Sequence, residues 1–382
     1  MGDIYGEFAM HDKRPPRIVD LTLRDGEQAA GLCFPRARRI DVARALQEAG
    51  IREIEAGIPA MGEEAEEGFA AIVQAVPDMR VIAWNRVRES DIEASARAGA
   101  RCVHVALPVS DIMLSRKLGW TRDRALDELG IVLLRCAELG LEVVVGAEDA
   151  SRADSSFLER AYREAIDGGA IRLRYADTLG VEDPFTAFDN MRYLSSMFEV
   201  PLEYHAHNDL GLAAANALAA LRAGAMASVT VGGMGERAGN ASLEQVACAS
   251  SLILKEDLGI ALGSLTRLNE LVSSLSGRPI PPDKPIVGAM AFSHESGIHV
   301  DAMLKDPAIY EFLEPGLVGR RRSFVPGIHS GKKALGYCAA SLGFELDETG
   351  LARLAALVRA RWSRGAPRDP WNAFSGILRE EF

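Results

Sequence analysis

Short runs of β-branched and apolar residues alternate with amphipathic segments from Ile18 to Gly232, and this alternation strongly limits the folds open to the chain. Segments such as Ala37–Ala49, Asp123–Leu139 and Asp154–Asp167 carry apolar residues at helical spacing and often precede a glycine. The candidate strands between such segments are Ile18–Leu23, Glu53–Gly57, Val81–Trp84, Cys102–Leu107, Glu142–Gly146, Ile171–Ala176, Leu202–His205 and Ser228–Gly232. Eight repeats in about 240 residues predict an α/β fold, a (β/α)8 TIM barrel, with a doubly wound sheet as the alternative.

The chain has room for a smaller region beyond the barrel, since it has 382 residues, 48% of them apolar. The segment 279–285 holds four prolines, and such a stiff stretch indicates a domain boundary. We therefore expect a catalytic barrel domain over residues 1–277. Residues 278–382 are expected to form a linker and a small, mainly helical C-terminal subdomain.

Composition excludes several classes of protein. The net charge of −11 comes from interspersed acidic and basic residues, so there is no basic surface for nucleic acid or an anionic membrane. The five cysteines are far apart and lack CxxC spacing, which favours neither a disulfide framework nor a thiolate metal site. The start of the chain lacks an apolar signal-peptide core, and no apolar run is long enough to span a membrane. A cytoplasmic protein is expected.

Polar side chains follow five of the predicted strands, where a barrel would hold its chemistry. His205 and His207 end the seventh strand, and residues two apart on a strand point the same way. An isolated HxH is equally well explained by one core and one solvated histidine, but the position at a strand end favours metal ligands. Asp25, after the first strand, is the best third ligand. This donor set suits Mg²⁺, Mn²⁺ or Zn²⁺ and leaves positions open for substrate.

Four motifs carry a resemblance to a known family. They are LRDGEQ at 23–28, HAHNDLG at 205–211, GERAGN at 235–240 and FSHESGIH at 292–299. Together they resemble the metal-dependent barrel enzymes that join acetyl-CoA to a 2-oxo acid by Claisen condensation: the isopropylmalate, citramalate and homocitrate synthases. The resemblance spans residues 18–342, and it implies an acyltransferase with acetyl-CoA as co-substrate.

The resemblance also implies roles for individual residues. The metal would be held by Asp25, His205 and His207, with Asn240 nearby. Arg24 would add positive charge at the ketone oxygen of the oxo acid. Gln28 and Thr178 would contact the oxo acid, and Glu203 would hold Arg24 in place.

In similar enzymes the general base is a histidine from the C-terminal region, which reaches the barrel of the other subunit of a homodimer. Here that histidine matches His299, oriented by Glu148, with Tyr310 positioning or relaying the proton. His294 is expected to be structural, and the context of His104 suggests no role.

The choice of 2-oxo acid rests on weaker features. No segment corresponding to a leucine-sensing domain follows the helix predicted at Asp347–Trp362, which favours a homocitrate synthase acting on 2-oxoglutarate. The lysine-pathway type has an arginine and a serine where this chain has Val144 and Gly146. Residues 146–154 and 107–111 look most like the nitrogen-fixation type, whose product becomes the organic ligand of the nitrogenase iron–molybdenum cofactor.

The distal carboxylate of 2-oxoglutarate would need a cation, because an unpaired buried carboxylate is costly. Arg152 and Arg174 are the candidates, and we favour Arg174 because a strand holds its side chains more rigidly than a loop does. Arg174 could equally be a structural ion-pair partner of Asp177 or Glu148. Two other functions compete with a synthase: an acyl-CoA lyase with the same metal site, and a non-enzymatic metal-binding or scaffold protein.

Overall fold

The computed structural model of the chain describes residues 17–382. The expectation about a signal peptide therefore concerns residues outside the described part. The chain divides into two compact units, one ending at Pro279 and one spanning Ile280–Phe382. Within residues 17–382, no helix is long and apolar enough to cross a membrane.

The first unit is a closed, parallel eight-stranded barrel, which confirms the predicted fold class. Neighbouring strands follow chain order, and the first also pairs with the last, Val19 lying opposite Ser228. The strands are β1 Ile18–Asp20, β2 Glu53–Glu55, β3 Arg80–Arg86, β4 Cys102–Pro108, β5 Glu142–Glu148, β6 Ala170–Asp177, β7 Leu202–Ala206 and β8 Met226–Val229.

Helices connect successive strands and cover the outside of the barrel. Their starts have physical causes: the Thr121 side chain accepts from Arg124 N before the fourth helix, and the Asp183 side chain caps the sixth, which opens with Pro184. The helices are α1 Arg36–Glu48, α2 Glu63–Ala75, α3 Glu89–Arg97, α4 Arg122–Glu138, α5 Ser155–Asp167, α6 Pro184–Met197, α7 Ala213–Arg222, α8 Leu243–Ala249 and α9 Leu265–Ser276.

Apolar and charged side chains share the barrel interior. A buried apolar cluster joins strands from opposite sides, with members that include Val19, Cys102 and Val144. Glutamates and arginines from β2, β6 and β7 are also buried, each less than 5% exposed. Buried charges are rare in proteins unless they are paired, so this interior depends on ion pairs as well as on apolar packing.

The second unit is mainly helical, as predicted. Its apolar core contains Val300, Leu335, Leu354, Val358 and Phe374, each fully or almost fully buried. Two parallel two-residue strands pair His294 with Phe324. The elements are β9 Ser293–His294, α10 Gly297–Met303, β10 Ser323–Phe324, α11 Lys332–Ser341, α12 Glu348–Trp362 and α13 Pro370–Glu381.

Candidate active site

Asp25, His205 and His207 form a group that can hold a metal ion at the carboxyl ends of β1 and β7. One ligand atom from each residue lies within 4.8 Å of the others, and all three residues are buried. His205 Nε2 is 3.2 Å and His207 Nε2 is 3.9 Å from Asp25 Oδ2. Such separations suit donors arranged around one ion with bonds of roughly 2.0–2.2 Å. The structure therefore brings together the three residues that the sequence predicts as ligands.

Neighbouring groups orient this donor set. His207 Nδ1 lies 3.2 Å from the carbonyl oxygen of Asp177, which can only accept, so this contact assigns the proton to Nδ1 and leaves a lone pair on Nε2. Asn240 Nδ2 donates to Asp25 Oδ1 at 3.1 Å. Among the described residues, no hydrogen-bond partner is found for Asn240 Oδ1 or for His205 Nδ1, although both atoms are buried. An unsatisfied oxygen beside Asp25 fits a further metal ligand.

The ionisation states of these three side chains also suit a bound cation. Burial by itself would raise the pKa of Asp25, but Arg24 and the two imidazoles outweigh it and hold that pKa well below its usual range. Burial lowers the pKa of His205 to about 4 and also lowers the pKa of His207. At neutral pH the site therefore presents one carboxylate and two neutral imidazoles.

Glu55, rather than Glu203, holds Arg24. The Nε of Arg24 donates to Glu55 Oε1, and its Nη1 donates to Asp25 Oδ2 at 2.9 Å. Gln28 Oε1 lies 3.4 Å from the same Nη1, and the guanidinium lies 5.8 Å from the centre of the Trp84 ring. Arg24 and Gln28 thus lie beside this group, and the carboxylate that holds Arg24 is Glu55 instead of the predicted Glu203.

Glu203 belongs to an ion-pair cluster inside the barrel. Its two oxygens lie 2.7 Å from Arg174 Nε and 2.9 Å from Arg172 Nε, and Ser228 donates to it at 2.5 Å. Arg174 is 1% exposed, and its Nη1 lies 2.9 Å from Glu55 Oε2. Arg174 therefore has the placement of a structural ion-pair residue, with Glu55 and Glu203 as partners instead of Asp177 or Glu148. This placement does not support its predicted contact with the distal carboxylate.

His104, on β4, belongs to the same ion-pair cluster and reaches Arg174 of β6 across the intervening strand β5. Its Nδ1 lies 2.8 Å from Glu55 Oε2 and 2.9 Å from Arg174 Nη1. A Cβ on Gly146 would lie 2.1 Å from His104 Nε2, so only glycine leaves room for the imidazole. The departure from the lysine-pathway pattern at residue 146 thus has a physical reason, because His104 occupies the space of that side chain.

Glu148 is the last residue of β5, and Thr178 directly follows the last residue of the neighbouring strand β6. Glu148 is bound by Lys117, whose Nζ donates to both carboxylate oxygens at 2.6 and 2.9 Å. Thr178 Oγ1 accepts from Asp149 N at 2.8 Å, which leaves its hydroxyl proton for another partner. Arg152, the other candidate for the distal carboxylate, forms a two-point pair with Asp149 at 2.9 and 2.6 Å.

In the second unit, His299 and Tyr310 lie against each other with ring centres 4.2 Å apart. Arg322 binds both oxygens of the neighbouring Glu311 at 2.7 and 2.5 Å, which fixes the segment after Tyr310. His294 Nε2 is 3.9 Å from Glu311 Oε1, and burial lowers the pKa of His294. The placement of His294 suits the structural role expected for it.

Three features are not predicted from the sequence: Glu55 as the partner of Arg24, Lys117 as the partner of Glu148, and His104 as a member of the buried ion-pair cluster. A signal for Glu55 was present, because an acidic residue inside a short predicted barrel strand must face either the interior or the covering helices. Lys117 gave no such signal, since it follows its strand by nine positions in an irregular segment. Contacts of this kind depend on which loops the barrel brings together.

Two family models and several known proteins are similar to this chain. A family described as HMGL-like matches residues 15–272, and one described as "Homocitrate synthase post-HMGL domain-like" matches residues 286–365. The chain is 44% identical to 2-isopropylmalate synthase 2 of Caldanaerobacter subterraneus, with 86% of each protein covered. It is also 44% identical to homocitrate synthase 1 of Nostoc sp., with 83% of this chain and 85% of that protein covered.

Solved structures show the same fold. Hydroxymethylglutaryl-CoA lyase from Pseudomonas aeruginosa matches with a TM-score of 0.61 at 20% identity, covering 69% of this chain and 94% of that one. At this identity the likeness concerns the barrel fold alone.

Proposed function

The chain belongs to the HMGL-like family, and on that premise we propose that it is a homocitrate synthase. In the proposed reaction, the methyl carbon of acetyl-CoA forms a carbon–carbon bond with the ketone carbon of 2-oxoglutarate. Water then cleaves the thioester, which gives homocitrate and CoA. The observation that carries the proposal is the Asp25, His205 and His207 group in a barrel followed by a homocitrate synthase-type second region. A lyase needs the first of these features but not the second.

The residues around Asp25 would bind and polarise the oxo acid. A divalent ion held by Asp25, His205 and His207 would supply Lewis-acid polarisation of the ketone. Arg24, fixed by Glu55 and Asp25, places a guanidinium beside that group and stabilises negative charge that develops on the ketone oxygen. Because both neighbours of Arg24 are buried carboxylates, its position is set before substrate binds.

Other side chains would orient the oxo acid and move the proton. The Thr178 hydroxyl has a proton to donate to a carboxylate oxygen, and Gln28 lies beside Arg24. His299 would remove a proton from the acetyl methyl group, with Tyr310 at its ring face and Glu148 as its orienting carboxylate. The resulting carbanion attacks the ketone carbon.

A homodimer whose partner subunit supplies His299 and Tyr310 is part of the proposal. Large apolar side chains are exposed beyond the carboxyl ends of the strands, including Phe185 at the start of α6 at 83% and Leu210 in the loop after β7 at 69%. The segment around His299 does the same in the second unit, with Ile298 at 78% and Phe312 at 82%. Exposed apolar surface of this kind typically marks protein–protein contact.

A cytoplasmic location and a role in making nitrogenase cofactor complete the proposal. All five cysteines are free, which suits a reducing compartment. The resemblance of residues 146–154 to the nitrogen-fixation homocitrate synthases supports the role in cofactor synthesis.

Isopropylmalate synthesis from 2-oxoisovalerate is the second candidate. The chain is as similar to the Caldanaerobacter isopropylmalate synthase as to the Nostoc homocitrate synthase, at 44% identity each. In addition, Arg152 and Arg174 already pair with carboxylates of the protein, so neither is free for the distal carboxylate of 2-oxoglutarate. The same metal group and base would serve either oxo acid. Only the pocket for the distal part of the substrate differs.

Steady-state release of CoA thiol separates these candidates. Purified protein is assayed with acetyl-CoA and each of 2-oxoglutarate, 2-oxoisovalerate and pyruvate, in the presence of Mg²⁺, Mn²⁺ or Zn²⁺. The proposal predicts the highest kcat/KM with 2-oxoglutarate. A preference for 2-oxoisovalerate would replace it with isopropylmalate synthesis, and a preference for pyruvate would replace it with citramalate synthesis.

A further inference from the structure

Lys117 binds Glu148 at the mouth of the barrel. The ammonium contacts both carboxylate oxygens, and the side chains of Lys117 and Glu148 are 52% and 24% exposed. Within residues 17–382, the hydrogen bonds found for this carboxylate all come from Lys117. The orientation of the Glu148 side chain therefore depends on one cation.

The segment that carries Lys117 is anchored to the end of β5 at two places. At its start, Ser110 Oγ donates to Asp149 Oδ2 at 2.5 Å and accepts from Met113 N at 3.3 Å, and near its end Lys117 Nζ donates to Glu148. The segment then forms a π-helix, Met113–Leu118, which contains Lys117. Short π-helical segments are rare and occur frequently at functional sites. Two consecutive acidic residues, Asp149 and Glu148, thus hold the start and the end of one irregular segment.

The backbone beside Glu148 is held in an uncommon conformation. Asp149 has φ of 64° although it is not glycine. Such a conformation is uncommon for a residue other than glycine and persists where the surroundings fix it. Here Thr178, Arg152 and Ser110 all bond to Asp149. The main chain is therefore fixed independently of Lys117, which leaves Lys117 to fix the side chain of Glu148.

We propose that Lys117 is a positioning residue that holds Glu148 so that its carboxylate can orient the imidazole of the general base. The inference rests on the proposed function, which assigns that base to His299. A carboxylate has about four acceptor positions, and the two bonds from Lys117 leave positions free for an imidazole N–H. Without Lys117, the three side-chain torsions of Glu148 would be free, and the free carboxylate would rotate.

The test compares Lys117→Met and Lys117→Arg with a matched control, Arg116→Met, which removes the neighbouring exposed cation of the same π-helix. We expect Lys117→Met to lower kcat by about 10- to 100-fold, the loss typical of a displaced catalytic group. The KM values for both substrates and the thermal unfolding midpoint should stay near those of the wild type. Lys117→Arg should recover part of the rate, and Arg116→Met should match the wild type.

A double-mutant cycle with Glu148→Gln shows whether the loss of kcat in Lys117→Met depends on Glu148. If Lys117 acts through Glu148, the double variant Lys117→Met/Glu148→Gln should be no slower than Glu148→Gln alone. If the fold-losses in kcat of the two single variants multiply in the double variant, Lys117 acts independently of Glu148 and the inference is overturned.

The KM values of Lys117→Met provide a second check. A higher KM for acetyl-CoA with unchanged kcat would make Lys117 a ligand of the coenzyme phosphates. The same change for the oxo acid would make it the cation for the distal carboxylate, and either result would also overturn the positioning role.

Failure of the proposed function is distinguishable from failure of this inference. If the wild type released no CoA with any 2-oxo acid, the proposed function and this inference would both fall. If only the inference is wrong, wild-type turnover stays intact and the variants differ in the ways described.

Discussion

Glu55→Gln is the sharpest test of how the barrel interior supports the site. Glu55 is fully buried, and its carboxylate contacts Arg24, Arg174 and His104. The amide keeps the shape of the side chain but removes the charge that compensates two buried guanidinium groups. Breaking a buried ion pair by removing one partner costs about 3–5 kcal/mol, because the other charge stays buried. We expect a loss of unfolding free energy of this size.

The matched control is Glu67→Gln, the same chemical change in an exposed pair. Glu67 lies 2.6 Å from Arg36, with the two side chains 56% and 46% exposed. Exposed pairs contribute about 0–1 kcal/mol, so this variant should unfold close to the wild type. The two variants therefore differ in burial and not in chemistry.

Urea unfolding monitored by hydrogen exchange of the β2 and β6 amides measures the effect in the barrel separately from the second unit. Glu55→Gln should also lower kcat/KM for the oxo acid, because Arg24 loses the carboxylate that fixes its Nε. Equal stability losses in Glu55→Gln and Glu67→Gln would refute the reasoning, because they would show that the interior ion pairs are not maintained in solution.

Three further predictions address the metal, the base and pH. His207→Ala should weaken divalent-metal binding by at least about 100-fold, measured as bound metal per chain after dialysis, and added metal should not restore activity. His299→Ala should lower kcat by about 10²–10⁴-fold with little change in oxo-acid KM, and mixing it with inactive Asp25→Ala should restore activity if the site is shared between subunits. Burial raises the pKa of Asp20 from 3.8 to about 7, so the folded state binds more protons than the unfolded state between these values. Stability should fall as pH rises through that window, by at most about 1.4 kcal/mol per pH unit, and Asp20→Asn should flatten the profile in urea titrations.

The strand and helix pattern could be predicted from sequence because each element satisfies its own periodicity. The sequence pattern predicts a strand over residues 102–107, and the structure has β4, Cys102–Pro108, there. It predicts a helix over residues 37–49, where the structure has α1, Arg36–Glu48. The first strand is shorter than predicted and ends at Asp20, because the carbonyl of Leu21 accepts from two following amides and turns the chain. Element ends depend on such local hydrogen bonds, which periodicity does not encode.

Partners inside the barrel could not be predicted in the same way. Alternation placed Arg174 on one face of its strand, but its partner Glu55 comes from β2, on a distant part of the barrel wall. Similarly, Arg24 is next to Asp25 in sequence, but the family resemblance implied Glu203 as its carboxylate partner, whereas the structure pairs it with Glu55. Pairings of this kind depend on side-chain length across the closed barrel. The grouping of Asp25, His205 and His207 was predictable because these residues lie at or just after strand ends, which converge on one face.

Identifying the product of one incubation shows whether the protein carries out the proposed condensation. The wild-type protein is given acetyl-CoA labelled with ¹³C in both acetyl carbons, unlabelled 2-oxoglutarate and a divalent metal, and the acids formed are analysed by mass spectrometry. A homocitrate synthase should form homocitrate that carries both labelled carbons, in an amount equal to the free CoA, and chelation of the metal should abolish its formation. Hydrolysis of acetyl-CoA to free CoA and labelled acetate, with no labelled homocitrate, would contradict the proposed reaction.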